Sequence, residues 1–531
     1  MRVAWIAVLL VPTPGFAQTR PDQGPQPAWA TAWSPFAPIA DLPRRLPATA
    51  SLPGMLSLPA PSVGLLWTAG NPAGLAFDVA RPWARLGGSA GNESGDFRRP
   101  LDPDRASSLG VSGIGWQPLG RAAVVGHVVT DQTSEGVAPF SDVTSPYGSD
   151  PLVPTDTSLP RLRRVHALLE GAVGWRLGAW GFGVASGVDV DDHRTDQARF
   201  PRLGRAAGRS ASLGVARELP FAPVRVAAYG RWTGGSETFT LVPRPSTGTV
   251  YLLNGYSEPD PVSVTQQPGF FRRIERRAHV LGIAAASSAG SITWSLFATS
   301  TARTDDHFSV RRNDPPTDRW RAAGWTMGGA VQRTVYRERV LLTAEALYER
   351  LSGDATRADL TGFIFHADES AVTVQADARY WPPDSPWELA LTLGLARESR
   401  FRHDYIAELE TRIAQWTPTL GVEAARALPC ATVSVGFAIA RYAVSATIPD
   451  TAGTGPVYQR LVAPEISLYA APALAITGTL SAQRRMTERT SLLLETRYAS
   501  VGANGAVAGL PLAPGGRRVA WRVSVGYVIG Q

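Results

Sequence analysis

The feature that most restricts this chain is an apolar–polar alternation of period two that recurs along nearly its whole length. In residues 371–397, Val372, Val374, Ala376, Ala378 and Tyr380 alternate with Thr373, Gln375, Asp377 and Arg379. After a break of Pro, Asp and Ser, Trp387, Leu389, Leu391, Leu393 and Leu395 alternate with Glu388, Ala390, Thr392, Gly394 and Ala396. Successive side chains of a strand point to opposite faces, so both arms are strands with one apolar side, and together they read as a hairpin. The same texture marks 165–177, 180–191 and 519–527, and a scan of the chain gives nineteen such segments, the first near 75–91 and one near 458–470. A closed barrel with both chain ends on one side needs an even number, so the expectation is about 18 antiparallel strands, within a range of 14–20.

Alternation alone fits a soluble sandwich as well as a membrane barrel, so the compartment has to decide. The N-terminus "MRVAWIAVLLVPTPGFAQ" carries Arg2, an apolar run from Val3 to Val11 and small residues at Gly15 and Ala17. That pattern is a signal peptide cleaved after Ala17, giving residues 1–17 as signal, 18–67 as a Pro-rich leader or partial plug, and 68–531 as the transmembrane β-barrel. No later stretch is apolar for the roughly 20 residues a spanning helix requires, which excludes a helical membrane protein. The lone Cys430 has no internal partner, so no disulfide holds an exported chain of 531 residues together. The formal charge is +7 with Arg as the only strong base, but the arginines are interspersed with Asp and Glu rather than gathered on one surface, which speaks against nucleic acid as a partner.

Connection lengths supply an independent signal. Tight links at 117–120, 178–179, 220–221, 288–290, 382–385 and 428–430 alternate with long polar ones at 132–162, 192–206, 234–273, 303–319 and 351–367. Short periplasmic turns facing longer extracellular loops are the habit of outer-membrane barrels, and only a closed sheet satisfies every backbone group in hydrocarbon. Trp116, Trp175, Trp232, Trp294, Tyr380, Trp381 and Trp387 stand near strand ends and are expected in the interfacial girdles. The expected location is therefore the cell outer membrane, in a bilayer carrying lipopolysaccharide.

If the apolar stripe meets lipid, the opposite face meets the lumen. On that side the pattern places Glu170, Arg176, Arg225, Arg231, Glu345, Glu349, Asp377, Arg379, Glu495, Arg497 and Arg522 as lumen-facing charges. A charged lumen fits the passage or gating of a small solute. The alternative is a barrel scaffold that anchors a surface or periplasmic protein partner through the 234–273 loop or the leader, since 249–271 contains aromatics and Pro in an otherwise exposed region, which suits a docking or folded-in segment.

One motif carries a family resemblance. Asn71, Pro72, Ala73, Gly74 and Leu75, within "AGNPAGLAFD" at 69–78, resemble the NPA segment that opens the barrel in the long-chain fatty-acid transporter family. That resemblance implies passage of a hydrophobic solute past a plug made by N-terminal residues. The wider layout, with "GDFRRP" at 95–100 and "SPYGSDP" at 145–151, resembles an uncharacterised family of Bacteroidetes-type outer-membrane barrels.

Catalytic chemistry finds little footing. "DVDDHRTD" at 189–196 and "ARTDDHFS" at 302–309 put Asp192 beside His193 and Asp306 beside His307, but adjacent strand residues point to opposite faces, and both tracts read as solvated loop ends. No catalytic residue, metal site or cofactor is assigned, and the Gly-rich "LGGSAG" at 86–91 lacks the strand-to-helix context of a nucleotide fingerprint.

Overall fold

The computed structural model describes residues 71–77 and 82–530, apart from 99–101, 138–150, 157–160, 196–201, 221–222, 242–246, 256–259, 266–269, 290–291, 309–314, 337–338, 384, 448–458, 460–462, 488 and 504–515. The expected signal peptide at 1–17 and leader at 18–67 lie outside the described residues.

The dyad segments do form strands. In chain order these are β1 (Trp83–Gly95), β2 (Arg105–Leu119), β3 (Ala122–Val137), β4 (Leu152–Asp156), β5 (Arg161–Leu177), β6 (Trp180–Arg194) and β7 (Arg202–Glu218). They continue with β8 (Val224–Leu241), β9 (Thr247–Asn254), β10 (Asp260–Thr265), β11 (Phe270–Ala289), β12 (Ile292–Phe308), β13 (Asp318–Val335) and β14 (Val340–Arg357). The last are β15 (Phe363–Tyr380), β16 (Trp387–Asp404), β17 (Leu409–Ala427), β18 (Ala431–Thr447), β19 (Ala473–Thr487), β20 (Thr490–Ala503) and β21 (Arg517–Ile529).

Eighteen of them pair antiparallel in one sheet, and β1 pairs β21 from Ala84↔Ile529 to Gly95↔Arg518, which closes the barrel. Closure removes both sheet edges, the condition for a sheet to sit in hydrocarbon. The expectation of an 18-stranded antiparallel barrel is met. β4, β9 and β10 form a separate three-stranded sheet built from two of the long connections. No helix among the described residues is long and apolar enough to cross a membrane.

The apolar face points outward. Leu169, Leu213, Leu281 and Ile283 are 63–69% exposed, whereas their polar neighbour Glu170 is 3% exposed. So many large apolar side chains in a continuous band would be an aggregation hazard in water and are a lipid-contact surface in a bilayer. The chain is thus an outer-membrane β-barrel with lipid outside and a lumen within.

Three expectations are corrected. The segment expected as a first strand at 75–91 divides into a short 3-10 helix, Pro72–Phe77, and β1, because Pro72 fixes a helical φ and Leu75, Ala76 and Phe77 carry no alternation. The segment near 458–470 is no wall strand, since its Ala463–Ala470 portion is a helix; Pro464 withdraws a ladder donor, and Ile466 through Ala470 are all buried, so it has no lipid-facing side. That miscount is why nineteen segments yield eighteen wall strands. Trp116 is no girdle residue either: it is 2% exposed and packs inside the barrel with Leu75 and Trp83.

The lumen is partly filled by the chain itself. At the rim of the longer connections Phe97, Leu152, Ile466, Leu468 and Tyr469, all from connections, join wall residues such as Trp320, Ile364, Phe365 and Ile413 in one apolar cluster.

Candidate functional site

At the rim of the tight turns the site begins with the Asn-Pro-Ala-Gly-Leu turn. The Oδ1 of Asn71 accepts from the Ala73 N–H at 2.9 Å, and the Gly74 N–H donates to the Asn71 carbonyl at 3.1 Å, so Asn71 caps the 3-10 helix. Its Nδ2 donates to the carbonyl of Ala228 at 3.2 Å, which fastens the cap to the barrel wall; Asn71 is fully buried. The wall makes room with glycine. A Cβ at Gly183 would lie 2.2 Å from the Pro72 carbonyl carbon, and one at Gly214 only 1.9 Å from the Asn71 Oδ1. Behind the helix, Phe77 sits between the guanidiniums of Arg176 and Arg225, 5.1 and 5.2 Å from its ring centre. Both arginines pair with Glu218, Arg225 at 3.0 Å.

Above this anchor the lumen wall is a set of ion-paired rungs. On β3, β5 and β6, His127 contacts Glu170 at 3.1 Å, and His166 lies between Asp131 at 2.9 Å and Asp189 at 2.7 Å. Each ring nitrogen of His166 faces a carboxylate oxygen, an arrangement that suits an imidazolium donating two N–H groups. Arg164 pairs with Asp191 at 2.5 Å one step further out. Across the barrel, Arg379 pairs with Glu388 at 2.9 Å, and Asp377 accepts from Thr392 and Gln375. Arg497 and Arg522 stand directly opposite each other across β20 and β21.

All eleven charges selected from the sequence alternate with lipid-exposed neighbours and therefore lie on the inner face: Glu170, Glu345 and Glu349 are buried, while Arg176, Arg225, Arg231, Asp377, Arg379, Glu495, Arg497 and Arg522 are partly exposed there. Sequence reasoning missed His166 with its two aspartates and the Arg164–Asp191 pair. Their partners come from different strands, and only the register that sets Asp131 against His166 reveals them.

The two Asp-Asp-His tracts are corrected. Neither is loop: both end wall strands, and the alternation separates their members. Asp191 and His193 turn inward while Asp192 pairs with Arg205 on the outer side; Asp305 and His307 are fully buried inside while Asp306 meets Arg319. Arg303 pairs with Asp305 at 2.5 Å, and an Arg272 Nη lies 2.9 Å from the His307 Nδ1. Among the described residues no group of three His, Cys, Asp or Glu side chains is arranged to hold a metal ion.

The mouth is crossed by the β4–β9–β10 sheet. Val250 and Val264 bury against Phe239, and the tip at Gly255 reaches Phe365 and Asp404, so a connection rooted between β8 and β11 spans to β15 and β16. The 249–271 segment is therefore folded over its own barrel where it is described, the folded-in of the two readings the sequence left open. Beside it the inward helix is tied down by Arg402, which pairs with Glu369 at 2.7 Å and with Glu465 at 3.6 Å, and by Arg400 stacked 4.0 Å from the Tyr469 ring.

Among solved structures, the copper transporter OprC is similar with a TM-score of 0.43 and 10% identity over 85% of this chain and 81% of that one. BauA, the ferric preacinetobactin receptor from Acinetobacter baumannii, gives 0.35 and 11% over 85% and 80%. A TodX deltaS2S3 mutant monoaromatic hydrocarbon channel gives 0.31 and 10% over 87% and 93%. Likeness at this level decides nothing about cargo. No curated protein matches the chain. A family model covers nearly the whole described barrel, and on that match, over residues 72–529, the chain belongs to the family of unknown function DUF6850.

Proposed function

We propose that the barrel passes a small polar or charged solute across the outer membrane, and that its own mouth sheet gates the passage. The observation that carries this reading is a lumen wall of ion-paired Arg, His, Asp and Glu beneath a sheet that belongs to a different hydrogen-bonded unit from the wall. An 18-strand barrel is wide enough for an aqueous channel once cleared, and a sheet that shares no strand pairing with the wall can move without breaking it. Glu345, Glu349, Arg379, Glu495, Arg497 and Arg522 are the wall charges we assign to solute passage.

The resemblance to the fatty-acid transporter family enters only at the 3-10 helix. We take Asn71 to Leu75 as the tie that holds an N-terminal plug, residues 18–67, to the periplasmic part of the wall. The charged wall favours a polar cargo over the hydrophobic one that the resemblance implies. Membership of a Bacteroidetes-type group is likewise an inference from layout.

Planar-bilayer recording tests the reading. In a barrel lacking residues 18–67, replacing residues 247–265 with a short Gly-Ser bridge should raise steady current about tenfold or more, since the wall is wide enough to conduct without the sheet. Neutralising Arg379 or Arg522 should then change ion selectivity. A correctly folded deletion barrel that stays silent would point to a closed scaffold instead.

A further inference from the structure

The outer face carries a feature that solute passage does not use. On three neighbouring strands, Arg397 of β16, Arg412 of β17 and Arg441 of β18 point to the lipid side and are exposed. Arg397 stacks on Trp416 at 5.1 Å and Arg412 on Phe401 at 5.1 Å, so aromatic rings hold two of the three guanidiniums upright against the wall. Trp416 is in register with Arg397 on one side and Ala443 on the other, two residues from Arg441, which gathers these groups into one patch. Arg412 is paired with Glu410 at 2.7 Å, whereas Arg397 and Arg441 make no ion pair among the described residues.

Height identifies what the patch meets. Arg397 lies ten residues above Trp387 and Arg441 ten above Ala431, each counted from the strand's periplasmic end. A strand rising about 3.3 Å per residue and tilted about 40° climbs about 2.5 Å per residue along the barrel axis, which puts both guanidiniums about 25 Å up. That is the height of the apolar band itself, so they stand where the outer leaflet's headgroups begin. Directly below, Leu393, Leu395, Leu420, Val422, Val435 and Phe437 are all more than 40% exposed and offer acyl chains a continuous apolar surface.

We propose that Arg397 and Arg441, on either side of Trp416, form a binding site for the phosphorylated headgroup of an outer-leaflet glycolipid whose acyl chains lie on β16–β18. Guanidiniums match phosphate oxygens in a two-pronged geometry, and a diphosphorylated sugar presents two such groups on one rigid body. The same Arg–Trp chemistry recurs at the opposite rim, where Arg426 stacks on Trp387 at 5.4 Å, but at the inner-leaflet level, so it serves as an internal control.

The test uses the full detergent-solubilised barrel titrated with bisphosphorylated hexa-acyl lipid A and read by native mass spectrometry. Losing two charge-assisted contacts in R397Q/R441Q predicts at least about a tenfold fall in affinity, while R426Q keeps wild-type affinity. Dephosphorylated lipid A should bind no better to the wild type than to R397Q/R441Q. Equal lipid A affinity in wild type and R397Q/R441Q, an equal loss in R426Q, or full competition by inorganic phosphate or phosphatidylglycerol would each overturn the site. Should R397Q/R441Q fail to fold, lipid A with a photoreactive headgroup on the wild type decides: crosslinks confined to 395–401, 412–418 and 439–445 support the proposal, and crosslinks elsewhere, around Trp387 and Arg426 included, sink it.

Discussion

At the residue scale, the periplasmic anchor rests on one side chain used three ways. Asn71 caps its helix, bonds the wall and fills the space that Gly214 leaves open. Asn71→Ala removes a cap and leaves a wall carbonyl without its donor, a loss of about 2 kcal/mol. The expected outcome is a lower unfolding midpoint in urea together with new protease cleavage near residues 71–82. Gly183→Ala should free the same segment by a different route, because the new Cβ meets backbone rather than a side chain that could swing away. Unchanged protection in both variants would mean that the helix is held by something other than this contact. The sequence marked Asn71 and Pro72 as punctuation, but it held no sign that their partners are glycines more than a hundred positions further on.

At the scale of elements, the inward helix Ala463–Ala470 shows how an ion pair decides where a connection goes. Arg402 is largely buried on the inner face of β16 and reaches both Glu369 on β15 and Glu465 on the helix. Arg402→Ala would take this partner from Glu369, which is 5% exposed, at a cost of roughly 3 kcal/mol for breaking one side of a buried pair. The prediction is that proteolysis between 448 and 472 accelerates in this variant while the heat-modifiable gel migration of the folded barrel persists. Loss of barrel migration would instead make Arg402 a residue of the wall's own stability. The helix escaped the dyad scan because Ile466 and Leu468 alternate with Ser467 and Tyr469, which mimics a strand over so short a span.

On the scale of the whole molecule, the alternation of connection lengths fixes which rim faces out. Cys430 lies exposed in the tight link between β17 and β18, on the same rim as the Gly178–Ala179 turn, whereas Asp359 lies exposed in the link between β14 and β15 on the other rim. A membrane-impermeant maleimide should leave Cys430 unlabelled in intact cells and label it after the outer membrane is opened. In a Cys430→Ala background, Asp359→Cys should label without opening. The reverse pattern would invert the barrel and, with it, move the Arg397–Arg441 patch to the inner leaflet.

What the sequence determined by itself was the wall. Period-two alternation is a local property, since each strand needs only its own residues to show an apolar and a polar side, and closure follows because hydrocarbon leaves no backbone group unpaired. The same alternation sets Glu170, Arg379 and Arg522 on the side opposite the apolar stripe. Only the tertiary structure decided what those charges meet, how the mouth is crossed and which arginines gather on the outside. His166 between Asp131 and Asp189, Gly255 against Phe365, and Arg397 beside Trp416 are contacts between separate strands or across the lumen. They depend on register and on the path of long connections, which a repeat of two cannot encode because it is unchanged when a strand slides by two residues.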